Sequence, residues 1–91
     1  MYKIFSNQNY NLTLNNDFNK VANDIMGEFG AIIQYGEHAD STNNPMTKNT
    51  WLSIKHEEMI HVGELLALMY KLDPTFKTQV EKGMKEFTDN T

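Results

Sequence analysis

Two long apolar seams, joined by a six-residue turn signal, leave this chain few folds to choose between. Phe18, Val21, Ile25, Ile32 and Tyr35 recur at intervals of three, four or seven residues, the spacing of one face of an amphipathic helix. Trp51, Ile54, Leu65, Leu68 and Leu72 repeat the pattern further along. Between them lies Asp40 to Pro45, reading DSTNNP, a cluster of turn formers whose proline suits the first position of a new helix. The first helix is expected from about Asn16, as N-cap, to about Ala39, and the second from about Pro45 to Leu72. Asp73-Pro74 ends the second and opens a short third, with Asp73 as cap and Phe76, Val80, Met84 and Phe87 on one face. Residues 1–15, rich in asparagine, read as an irregular arm. No alternation argues for a strand, so the expected fold is all-α: an antiparallel two-helix hairpin, residues 16–91, with a short C-terminal helix.

The chain has 91 residues, and so small a domain buries a modest share of its surface alone, which favours completing a core by self-association. A net charge of −4, with eight Lys and Arg residues in no dense cluster, gives nothing for nucleic acid to bind. No run is long and apolar enough for a membrane span or a signal peptide, so the cytoplasm is the expected location. With no cysteine, disulfides and thiolate ligands are excluded, and a metal here must take oxygen and nitrogen donors.

Both seams are interrupted, and the interruptions carry the chemistry. Glu28 occupies the seam position between Ile25 and Ile32; Glu58 and His61 occupy the two between Ile54 and Leu65. An unpaired carboxylate facing a core costs several kcal/mol, so it needs a cation, a proton or water. Glu58 and His61 are three apart, which sets their Cβ atoms roughly 5–6 Å from one another on one helix face. Carboxylate plus imidazole suits iron or manganese, with zinc as a further alternative. Carboxylate-bridged di-metal bundles use a Glu from each of two helices and a Glu-x-x-His pair from each of the other two. This chain carries half of that set, so two copies are expected to complete one site, four carboxylates balancing two divalent ions.

The stretch Met26 to Phe76 resembles encapsulated ferritin, the short ferritin-like proteins housed in encapsulin compartments. The resemblance is carried by Glu28-Phe29, Tyr35, Ala39-Asp40, Glu57-Glu58-Met59-Ile60-His61, Asp73-Pro74 and Phe76. It implies antiparallel two-helix protomers that pair into a four-helix ferroxidase unit and then form a ring, a decamer. It implies Glu28, Glu58 and His61 as catalytic iron ligands, with Tyr35 beside them. Glu28 would then bridge two irons, Glu58 chelate or bridge, and neutral His61 cap one of them. Two departures stand out. Acidic residues that flank the first ligand in the family are replaced here by Gly27 and Gly30, and the terminal residues Phe87 to Thr91 show no small apolar motif for docking to a shell.

Other functions of the same residues are a peroxide-consuming enzyme of the rubrerythrin or manganese-catalase kind, and a metal-free helical dimerisation module. Taken singly, Tyr35 reads as a core residue with a hydrogen-bonded hydroxyl, and Trp51 and the methionines as packing. Glu37, His38, His56 and Glu57 read as solvated, and Glu64 as an outer contact of His61.

Overall fold

A computed structural model describes residues 12–91, with side chains from residue 16 onward. Three helices follow one another: α1 (Leu12–Asp40), α2 (Pro45–Leu72) and α3 (Pro74–Asp89). The fold class is the all-α hairpin with a short terminal helix that the seams require. Helix α1 begins four residues ahead of the expected Asn16, so Asn16 is an interior residue rather than a cap. The reason is cooperativity: once a helix is nucleated, each added residue gains a hydrogen bond, and weak formers such as Asn15 and Asn16 are carried along. The rest of the expected arm, residues 1–11, lies outside the described residues.

Both ends of the turn are tied down. Ser41 donates its amide to the Glu37 carbonyl (3.1 Å) and its hydroxyl to that of His38 (3.0 Å). The Lys48 ammonium donates to the Ala39 carbonyl at 3.0 Å, placing a positive charge at the negative end of the α1 dipole. Asn44 is in extended conformation and accepts from the Thr47 amide at 2.9 Å, with Pro45 following in the first turn. These contacts turn α2 back along α1: His38 stacks on Trp51 with ring centroids 5.0 Å apart, and Glu28 meets His61, so numbers rise on one helix as they fall on the other.

Between α2 and α3 the backbone leaves the helix at a single residue. Asp73 is extended, and its carboxylate accepts from the Thr75 and Phe76 amides at 3.0 and 3.1 Å. The Phe76 ring meets Phe18 edge-on at 5.1 Å and Tyr70 at 6.0 Å, which fixes where α3 sets off.

The interior is thin. Among the described residues only Val21, Ala39 and Met69 are buried apolar side chains, while Met26, Phe29, Ile33, Met59, Ile60, Leu68, Met84 and Phe87 are between 45 and 72 % exposed. Two packed helices bury one stripe each, and α1 carries a second apolar stripe, Met26, Phe29 and Ile33, that the seam reading passed over. Contiguous exposed apolar surface of this kind is what interaction sites of soluble proteins commonly present.

Candidate metal centre

The seam interruptions converge. Antiparallel pairing brings the middle of α1 against the middle of α2, so that Glu28, Glu58 and His61 each offer a ligand atom within 4.8 Å of the others. His61 Nδ1 lies 3.0 Å from Glu58 Oε1 and 3.5 Å from Glu28 Oε2. The two carboxylates are half-shielded, their side chains 22 and 19 % exposed, and the imidazole is 50 % exposed. The trio therefore sits on the flank of the hairpin rather than sealed inside it.

The protonation of the trio follows from this crowding. Glu28 is raised above its ordinary range, first by its hydrogen bond with Glu58, then by partial desolvation and the Glu58 charge; His61 opposes the rise. Glu58 is lowered, first because it accepts that same hydrogen bond and then because it faces His61. His61 is raised by its hydrogen bond to Glu58 and by the charge of both carboxylates. Two carboxylates this close do not both ionise freely, which is why Glu28 is pushed up and Glu58 down. A divalent cation placed among them would compete with protons for the same carboxylate and imidazole atoms.

The donor set fits such an ion. Two carboxylate oxygens and one imidazole nitrogen, with no thiolate, match iron, manganese or zinc. Three donors leave coordination positions open, and the trio faces a cleft of about 520 Å³ lined by Asn23, Asp24, Gly27, Glu28, Ala31, Glu58, His61 and Leu65.

No family model matches the chain. A curated relative, the ferritin-like-encapsulin shell fusion protein of Pyrococcus furiosus, is 33 % identical over 67 residues, covering 74 % of this chain and 19 % of that protein. The crystal structure of the encapsulated ferritin domain from Pyrococcus furiosus superposes with a TM-score of 0.83 at 26 % identity, over 100 % of this chain and 93 % of that one. The chain belongs with the encapsulated ferritin-like proteins. It spans about a fifth of the curated fusion protein.

Within this ferritin-like chain the remaining singled-out residues fall in different places. Tyr35 is half-buried on α1 and does not line the cleft. His56, Glu57 and Glu64 are exposed, as expected for the first two. His38 departs from its solvated reading: it is half-buried against Trp51, and its Nδ1 is a buried polar atom with no partner among the described residues. Its position one turn from the DSTNNP signal hid this, because a last-turn histidine ordinarily faces water. Asn23 and Asp24 border the cleft although the sequence reading gave them no role; Asp24 lies four residues before Glu28, which was the available signal. No described helix is long and apolar enough to cross a membrane.

Proposed function

We propose that this chain is a ferroxidase that oxidises Fe²⁺ to Fe³⁺ at a di-iron site formed between two copies, in the service of iron storage or detoxification. The observation that carries the reading is the meeting of Glu28, Glu58 and His61 from two helices on an open flank. One chain supplies two carboxylates and one imidazole, half of the four-Glu, two-His set of carboxylate-bridged di-metal bundles. The exposed apolar side chains on both long helices supply the area for a second copy. The ring-shaped assembly, a decamer, belongs to the same proposal. So does residence in the cytoplasm inside an encapsulin compartment, with the shell protein as partner, which draws support from the relative whose name joins a ferritin-like part to an encapsulin shell.

Iron enters as the substrate, and its loss of an electron reduces oxygen or peroxide. The protein's own part is positional and protonic. Glu28, Glu58 and His61 would hold the ions, and Glu28, which binds its proton more tightly than a free carboxyl because of Glu58, must be ionised to do so. His61 must likewise be neutral to offer nitrogen, and it is charged to a higher pH than a free imidazole. The half-shielded carboxylates are oriented by the helix backbones before any ion arrives, so little reorganisation accompanies binding.

The test is anaerobic Fe²⁺ addition to the metal-free protein, followed by mass measurement and then by admission of air. Iron-driven dimers or larger assemblies, with oxidation faster than in Glu58→Ala and His61→Ala at equal helicity, are expected. Unchanged oxidation in both variants would overturn the assignment. Turnover of peroxide without ferric product would favour the peroxide-consuming reading, with manganese recovered in place of iron. A gain of stability with no lost function on replacing all three residues by apolar ones would favour the metal-free module.

A further inference from the structure

The closed end of the hairpin holds an imidazole that the metal centre does not use. His38 lies ten residues beyond Glu28 on α1, about 15 Å along the helix at 1.5 Å per residue. Its ring stacks on Trp51 of α2 with centroids 5.0 Å apart and planes inclined at 28°. In that position Nδ1 is shut off from solvent and has no hydrogen-bond partner among the described residues. A neutral imidazole carries one N–H and one bare nitrogen, and Nδ1 calls for a partner in either form. Buried polar atoms without one are few in folded proteins, and each weighs against the arrangement that buries it.

The backbone around His38 is not free to relieve this. The Ser41 amide bonds the Glu37 carbonyl, the Ser41 hydroxyl bonds the carbonyl of His38 itself, and the Lys48 ammonium bonds that of Ala39. Ala39 is wholly buried. The side chain has more freedom. His38 is only half-buried, and Glu37 and Asp40 near it on α1 are exposed, so water lies one χ1 rotation away. On the α2 side the neighbouring cover is Lys55, one turn beyond Trp51. Its stem lies across α1 at Gly36, where a Cβ would meet Nζ, Cε and Cδ at 3.0, 3.5 and 3.7 Å. A flexible four-carbon stem gives way where a packed ring does not.

We propose that His38 is a two-position latch on Trp51. Turned inward, its ring covers the indole and leaves Nδ1 unpartnered. Turned outward, it hydrates that nitrogen and uncovers the indole face, while both helix backbones stay in place. The outward position gains a hydrogen bond and loses an aromatic stack, two effects of similar size, so both positions are populated. The latch lies apart from Glu28, Glu58 and His61 and does not depend on the ferroxidase reading.

Trp51 is the one tryptophan in the chain, so its fluorescence reports the latch without interference. The full chain is measured metal-free, at a pH of about 8.5, where a free imidazole is neutral, and at equal assembly mass in every variant. Acrylamide quenching of Trp51 is expected to fall in His38→Phe, which keeps the stack and has no nitrogen to satisfy. It rises in His38→Ala, which leaves the indole uncovered, and the parent lies between the two. Nitrogen NMR of the His38 ring gives a second readout that needs no folded variant: the Nδ1 shift is expected to move with temperature, as a bare and a water-bonded nitrogen exchange. Quenching in the parent no greater than in His38→Phe at equal helicity overturns the proposal, and so does an Nδ1 shift independent of temperature.

Discussion

Gly30 lies nine residues from Val21 on α1, which is about half a turn around the helix at 3.6 residues per turn, on the side away from α2. A Cβ built there meets no atom within 4 Å, so Gly30→Ala removes a backbone liability without creating a contact. The helix-propensity difference is about 1 kcal/mol in favour of alanine in a helix interior. For a domain of this size that corresponds to a rise in thermal midpoint of about 4–8 °C. The assay is thermal unfolding by far-UV circular dichroism, metal-free, at several protein concentrations, with mass checked by sedimentation so that parent and variant are compared in one assembly state. An unchanged or lowered midpoint at equal mass and helicity would refute the reasoning, because it would require Gly30 to be covered by something the open hairpin does not contain. Gly27→Ala is the informative contrast. It has the same freedom within the protomer but borders the cleft, so its gain should shrink in whichever state brings a second helix over that flank.

Two further predictions concern the caps and the titrating trio. Asp73→Ala removes the acceptor for the Thr75 and Phe76 amides and should cost about 1 kcal/mol, read as a lowered midpoint and faster hydrogen exchange at those two amides; unchanged exchange there would contradict the cap. With pH, His61 is raised, so its contribution to the metal-free fold is complete below the ordinary imidazole value and is lost as pH rises through the raised one. Glu58 is lowered, so its contribution is present above the ordinary carboxylate value and is lost as pH falls through the lowered one; Glu28, being raised, acts in the same sense as His61. Glu58 and His61 together favour the interval between the ordinary carboxylate and imidazole values, and Glu28 draws the maximum toward its acid end, whereas Co²⁺ affinity should climb steadily through and beyond that range. His61→Ala should flatten the alkaline side of the stability profile, and an unaltered profile would detach His61 from the trio.

Helix type, the α2 boundaries and the convergence of Glu28, Glu58 and His61 were legible because each rests on strong local chemistry. Pro45 and Asp73-Pro74 punctuate the backbone regardless of context, and the three ionisable residues break seams that are otherwise apolar. The start of α1 was not legible. Asparagine is nearly as common in caps and loops as in a weakly held helix, so Asn15 and Asn16 gave no sign that the helix continues back to Leu12. The stripe of Met26, Phe29 and Ile33 was hidden differently. A period-based reading assigns each helix one apolar face, and a helix that is apolar on two sides blurs its own periodicity. The burial of His38 depends on the partner it meets across the turn, Trp51, which no local pattern names.

The elbow at Asp73 turns α3 into a lever. Because the Phe76 ring is wedged between Phe18 and Tyr70, the root of α3 is keyed to both long helices at once, whereas Met84 and Phe87 project with 55 and 72 % of their surface free. Phe87 lies eleven residues beyond Phe76, an arm of about 16 Å at 1.5 Å per residue. A tilt of about 10° between α1 and α2 at that fulcrum swings the far end by about 3 Å over such a length. Small changes in how the hairpin closes are thus magnified at its tip, where they arrive as displacement of Phe87.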